Sequence, residues 1–233
     1  MLDFFNVRHV SFDLWLTLIK SNPVFKQKRD ALLKEYFEIP HSIEAISARI
    51  RMWDLRFNAL NEASGKNIDA DEMVLLILSD LDCDIKKLDP TIMEAYYSTM
   101  EELFFRFHPL LYEDQLLPYL NQLAGKGITL SILSNTGFIK GKTLRKLLGI
   151  LKIEPLLKFQ VYSDEVGCSK PSKEAYRHIL DNIKPFNTLE SKSILHIGDN
   201  PNADVRGALN NGMQAALINS NSISLISLNI HTS

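Results

Sequence analysis

The spacing of apolar positions changes character twice along the chain. Val7 to Leu14 is short and apolar around Val10 and Phe12 and runs into an acidic residue, Asp13, which predicts a strand that ends in a carboxylate. From Pro23 to about Phe107 the period becomes helical, with helices predicted over 24–38, 42–61, 70–81 and 90–106. In the second of these, Ile43, Ile46, Ile50, Trp53, Phe57 and Leu60 recur at helical spacing behind Ser42, whose hydroxyl suits an N-cap. Pro90 opens the fourth, where a missing N–H costs little. Helices with apolar faces of their own predict a small bundle inserted after the first strand.

From Tyr112 onward helix and strand alternate: helix 114–124, strand 128–133, helix 139–149, strand 159–162, helix 172–183, strand 193–197, helix 203–211 and strand 214–218. Such alternation with apolar strands predicts a parallel sheet covered by helices on both faces, with the first strand as its missing member. The expected architecture is α/β, a doubly wound Rossmann-like core over residues 1–20 and 108–233 with a helical lid, 21–107, above it. The Ser/Asn-rich tail from Asn219 reads as loosely specified.

Composition narrows the function classes. A net charge of -2 and a pI near 6.3 leave no basic excess to neutralise a nucleic-acid backbone or to hold an anionic membrane surface. The longest apolar run, Met73 to Leu78, is far too short to span a bilayer, and the N-terminal residues lack the basic and long apolar regions of a secretory signal. Cys83 and Cys168 form no CxxC pair and no cluster with histidine, so a reducing, cytoplasmic setting is expected, without a zinc site or disulfide framework. The apolar faces needed by the lid are compatible with a monomer or a homodimer.

In open parallel sheets ligands bind beyond the carboxyl ends of the strands. That edge collects Asp13, then Ser134, Asn135 and Thr136, then the stretch from Ser163, Asp164 and Glu165 to Lys170, and finally Gly198, Asp199 and Asn200 with Asp204 a turn further on. Carboxylates brought together there must be protonated, paired or metallated, and oxygen ligands on a rigid scaffold suit Mg²⁺. Taken singly, Asp199 and Asp204 read equally as turn and cap residues. Ser134 and the following backbone N–H groups suit an anion, and the Lys170 ammonium suits a phosphoryl group beside carboxylates. Gly137, Gly141, Lys142 and Thr143 imitate a phosphate-binding loop, but only three residues separate the glycines where four are needed.

Four segments, Phe12-Asp13-Leu14-Trp15-Leu16-Thr17-Leu18, Ile132-Leu133-Ser134-Asn135, Lys170-Pro171 and Ile197-Gly198-Asp199-Asn200-Pro201-Asn202-Ala203-Asp204, resemble in order the motifs of the haloacid dehalogenase-like hydrolase superfamily. The inserted helices are similar to that family's all-helical cap. The resemblance implies that Asp13 is a nucleophile forming an aspartyl-phosphate, Ser134 binds the transferring group together with Thr17 and Asn135, and Lys170 stabilises it. It further implies Mg²⁺ held by Asp13, the Trp15 backbone carbonyl and Asp199, with Asp204 ligating through water or orienting Lys170. The implied activity is hydrolysis of a small phosphorylated metabolite.

Two positions depart from the pattern. Trp15 stands where the family's phosphatases usually carry a second Asp, the acid that protonates the leaving group and the base that activates water, and an indole does neither. Slow turnover is therefore expected. A low-turnover regulatory or binding protein and a metal-independent 2-haloacid dehalogenase stand as alternatives, although Asp199 and Asp204 are the acidic pattern that such dehalogenases lack. Leu16 stands where the family commonly has Gly, which leaves the loop geometry beside the nucleophile open. Arg29, Arg49, Arg51 and Arg56 in the lid read as solvated helix faces, His196 as a packing residue, Cys168 as a plain loop cysteine and Glu165 as a partner for Lys170.

Overall fold

In chain order, the computed structural model, which describes residues 2–185 and 189–232, begins with β1 (Asp3–Phe4), β2 (His9–Phe12) and β3 (Ile19–Lys20). Helices α1 (Pro23–Tyr36), α2 (Ile43–Ser64), α3 (Ala70–Asp80) and α4 (Pro90–Arg106) follow, and β4 (Leu110–Leu111) leads back. The remainder runs α5 (Leu116–Gly125), β5 (Thr129–Ser134), α6 (Gly141–Ile150), β6 (Leu157–Tyr162), α7 (Ser163–Val166), α8 (Lys173–Ile183), β7 (Ile194–Gly198), a wide π-helical turn (Pro201–Arg206), α9 (Gly207–Asn210), β8 (Gln214–Leu217) and β9 (Asn229–Ile230). Met1, residues 186–188 and Ser233, all inside the expected core segments, lie outside the described residues.

The strands order as β6-β5-β2-β7-β8, every neighbouring pair parallel. β2, the first of these five strands in sequence, therefore takes the central position, with Val10 opposite Leu130 on one side and Leu195 on the other. Helices cover both faces. Leu120, Leu123, Leu144 and Leu147 of α5 and α6 share one apolar cluster with Val10, Phe12, Leu130 and Ile132. Tyr176, Ile179 and Ala208 of α8 and α9 share a second with Leu133, Val161 and Ile194. Two apolar layers around one sheet make the fold the doubly wound α/β arrangement expected.

The helical segment forms as its caps dictate. The Asn22, Ser42 and Asp89 side chains accept the first free N–H groups of α1, α2 and α4, and α2 ends on Gly65 at φ +69°. The antiparallel pair of β3 with β4, not anticipated from the short runs that form it, ties together the two points where the helical segment leaves and rejoins the core. The expected helix 203–211 is instead the π-helical turn followed by the short α9. The tail departs from its loose reading, because Leu225 and Ile230 are buried and β9 pairs with β1. Polar composition concealed an apolar anchor every few residues. Among the described residues no helix is long and apolar enough to cross a membrane.

Candidate active site

Four of the five strands of the central sheet deliver polar groups to its carboxyl edge. Asp13 follows β2, Ser134 closes β5, the loop after α7 carries Lys170, and β7 opens into Asp199 and the turn bearing Asp204. The Lys170 ammonium lies 2.6 Å from Asp13 Oδ1 and 2.6 Å from Asp204 Oδ1. All three side chains are buried. Asp204 Oδ1 also accepts from His196 Nε2 at 3.1 Å, and its Oδ2 accepts from the Asn200 N–H at 2.9 Å. Because the carboxylate only accepts, His196 carries its proton on Nε2, and Nδ1 takes the Ser11 hydroxyl at 3.1 Å. His196 is thus a support of the site and not a packing residue. Its side chain points to the α8 face, where Asp204 folds back, and strand periodicity alone does not distinguish those two uses.

Gly198 is required by this arrangement. A Cβ there would run into the Asp204 carboxylate. The Asn135 side chain is committed to the Lys170 backbone, donating to its carbonyl at 3.0 Å and accepting its N–H at 2.8 Å. Asn135 therefore acts by fixing the lysine. The Ser134 hydroxyl is buried and has only a long 3.3 Å bond to the Asn135 carbonyl, while the Thr17 hydroxyl is buried with no partner among the described residues. A buried hydroxyl without a partner is costly unless a ligand completes it.

Electrostatics distinguish the carboxylates. Burial alone would raise Asp204, but the Lys170 charge and the His196 hydrogen bond overcome it and hold the group well below the ordinary carboxylate range. Burial is less fully offset at Asp13, which shares the same cation and faces Asp204 and Asp199, and its carboxyl is pushed up to about 7. Asp199, partly exposed, is raised to about 6 by burial and by Asp204. Lys170 is pushed above its ordinary value, since the two carboxylates outweigh its burial.

The residues present fit a divalent cation. Asp13, Asp199 and Asp204 each offer an oxygen, and these atoms lie within 4.8 Å of one another. Three carboxylates face one ammonium, and the crowding of buried acids that raises Asp13 and Asp199 is what a dication would relieve. Oxygen donors suit a hard ion such as Mg²⁺. Both Asp204 oxygens already carry strong hydrogen bonds, which favours contact through water there and direct contact at Asp13 and Asp199.

Three residues after Asp13, Leu16 adopts φ +60°, the left-handed conformation that glycine takes freely. Its N–H donates to the Ile19 carbonyl at 2.7 Å, and its carbonyl accepts from Asn219 Nδ2 at 2.6 Å. The neighbouring Ser220 hydroxyl holds the Asp199 carbonyl at 2.6 Å. The tail thus braces two loops of the site, a role that no local sequence signal announced.

A cavity of about 280 Å³ opens next to Trp15 and is lined by Phe25, Arg29, Arg51, Asn135 and Phe138 among others. Arg29 is not a solvated helix face. Its guanidinium pairs with Asp30 at 2.8 Å and stacks 5.2 Å from the Phe138 ring. Glu165 pairs with Arg145 and not with Lys170, because α7 turns it toward α6. At the imitation phosphate loop, the Gly141 N–H at the start of α6 already donates to the Asp164 carboxylate at 3.0 Å. Burial pushes the Cys168 thiol up, which keeps it a plain cysteine.

The chain matches the profile of the haloacid dehalogenase-like hydrolase family over residues 7–212. A sequence search of curated proteins returns no match. Among solved structures it is similar to YfnB from Bacillus subtilis, bound to magnesium, at 20% identity and TM-score 0.70, covering 97% of this chain and 94% of that one. A HAD phosphatase from Thermococcus onnurineus is similar at 20% identity and TM-score 0.66, covering 97% and 93%. The L-2-haloacid dehalogenase of Xanthobacter autotrophicus is similar at 20% identity and TM-score 0.59, covering 91% and 77%. At these identities the likeness establishes the fold.

Proposed function

The chain belongs to the haloacid dehalogenase-like hydrolase family, and within it we propose a Mg²⁺-dependent phosphohydrolase acting on a small phosphorylated metabolite. The observation that carries this reading is three carboxylates gathered around one buried ammonium, beside two under-bonded hydroxyls. A displacement at carbon needs no dication, whereas a phosphoryl group meets this site as an anion that requires one.

Asp13 attacks with Oδ2, since Oδ1 is held by Lys170. Its oxygen bonds to phosphorus, the bond from phosphorus to the leaving oxygen breaks, and an aspartyl-phosphate results. Lys170 keeps the attacking carboxylate oriented and presents its charge to the phosphoryl oxygens, and the Thr17 and Ser134 hydroxyls donate to them. A dication bound by Asp13, Asp199 and the Trp15 carbonyl, with Asp204 behind a water, would neutralise the charge that builds on those oxygens. Water then attacks phosphorus, releasing inorganic phosphate and restoring Asp13. The Trp15 indole N–H is far too weak an acid to protonate a leaving group, so the departing oxygen takes its proton from solvent. The helices over 21–107 serve in this reading as the cap that excludes bulk water.

Hydrolysis of p-nitrophenyl phosphate and acetyl phosphate with Mg²⁺ tests the proposal. Asp13→Asn and EDTA should each abolish phosphate release, and activity that survives either treatment refutes it. The aromatic Trp15 favours one second reading, a 2-haloacid dehalogenase. Chloride release from 2-chloropropionate in EDTA, with no phosphatase activity, would establish it.

A further inference from the structure

We propose that Glu62, near the end of α2, is a positioning residue for the acidic turn 199–204, so that the helical segment itself sets the geometry of the dication site. This inference rests on the Mg²⁺ reading above. Glu62 Oε1 accepts from Asn200 Nδ2 at 2.8 Å, and Oε2 accepts from Asn202 Nδ2 at 2.9 Å. Asn200 is the pivot of the turn. Its Oδ1 accepts the Asn202 and Ala203 N–H groups at 2.9 Å each, and its own N–H holds Asp204 Oδ2. The one remaining side-chain donor of Asn200 is the group that Glu62 takes. A carboxylate from a helix outside the sheet thus locks the residue between Asp199 and the turn that carries Asp204.

The contact is not isolated. Immediately after Glu62, the Gly65 carbonyl accepts the Ser169 N–H at 2.9 Å, one residue from Lys170. Gly65 lies at φ +69°, and a Cβ there would come within 2.8 Å of Ser172 Cβ, so both conformation and closeness demand glycine. Asn67 Oδ1 accepts the Ser163 hydroxyl at 2.7 Å, and that hydroxyl in turn accepts the Thr136 N–H at 2.8 Å beside Ser134 and Asn135. A single turn of the helical segment therefore grips the loops bearing the acids, the lysine and the hydroxyl. Glu62 is the member that grips the turn joining the acids, through Asn200 and Asn202.

Groups bonded directly to metal ligands typically change metal affinity about 10- to 100-fold, and Glu62, one bond further out through Asn200, falls at the low end of that range. Calorimetric titration of Mg²⁺ into the full chain, read alongside the thermal midpoint, tests the assignment. Glu62→Ala should weaken Mg²⁺ binding about 10-fold with little change in thermal midpoint, and Glu62→Gln, which keeps one accepting oxygen, should weaken it less. Asn202→Ala should weaken binding in the native background and add nothing in the Glu62→Ala background, because Glu62→Ala already removes the bond that Asn202→Ala removes. Unchanged Mg²⁺ affinity in Glu62→Ala, or effects of the two substitutions that simply add, overturns the role of Glu62. A native protein that takes up no Mg²⁺ overturns the reading of the acid site, and this inference with it.

Discussion

Replacing Lys170 by Met removes one cation from between two buried carboxylates while keeping most of the side-chain volume. In the native protein Nζ is 2.6 Å from both Asp13 and Asp204, and the lysine is 2% exposed. Breaking a buried pair by removing one partner costs about 3–5 kcal/mol, and here the loss strands two partners, so the upper part of that range is expected at pH 8 in EDTA. The loss should shrink in acid. Without the ammonium, burial raises both carboxylates, and the folded state then holds more protons than the unfolded one from the ordinary value of 3.8 up to the raised value. Stability of the variant therefore falls as pH rises through that window. Relative to native, in which Asp204 stays ionised, one extra proton corresponds to about 1.4 kcal/mol per pH unit, up to about 4 kcal/mol between pH 5 and pH 8. Urea denaturation of both proteins at the two pH values measures it. A deficit that is equal at pH 5 and pH 8, or below about 1 kcal/mol at pH 8, refutes the account of the site as two carboxylates sharing one cation.

Three further outcomes follow from named atoms. Gly198→Ala forces the Asp204 carboxylate off at least two of its bonds to Lys170, His196 and Asn200, at about 1.5–3 kcal/mol for each bond to a charged group. Urea denaturation should show a loss of about 3 kcal/mol or more, and one below about 1 kcal/mol would mean the acid is free to shift. Leu16→Gly relieves about 1–2 kcal/mol of left-handed strain against about 0.5–1 kcal/mol of added chain entropy, so calorimetry should find a Tm raised by about 1–3 °C, and a lowered Tm contradicts it. With no acid at Trp15, p-nitrophenyl phosphate should outpace an alkyl phosphate such as glycerol 3-phosphate by about 10²–10⁴ in kcat/KM. Trp15→Asp should narrow that ratio, and near-equal native rates would point to an acid supplied from elsewhere.

Local pattern carried far in this chain. The period of apolar residues located the five strands of the central sheet and the four long helices to within a few residues, because a buried face repeats at the pitch of its own element whatever it packs against. The rule that ligands bind beyond strand ends then selected Asp13, Ser134, Lys170, Asp199 and Asp204 before any distance was known, and the structure brings four of these side chains around one point. Leu16 illustrates the same logic at a single residue, since the backbone adopts the conformation of a glycine position even though leucine occupies it.

Only tertiary structure decided which polar groups meet. His196 lies on a buried strand and bonds to Asp204, Glu165 turns to Arg145, Arg29 packs against Phe138, and Glu62 reaches Asn200 and Asn202 across 138 and 140 positions of sequence. The polar tail proved to brace Leu16 and Asp199. Side-chain hydrogen bonds between residues distant in sequence depend on sub-ångström placement and have no period along the chain, so they leave no trace in spacing or composition. The sequence by itself determined the scaffold and the groups available at the sheet's edge. The packing of the helical segment and of the tail against that edge decided their ionisation, their partners and their neighbours, because burial and charge proximity are properties of the folded arrangement and not of any residue alone.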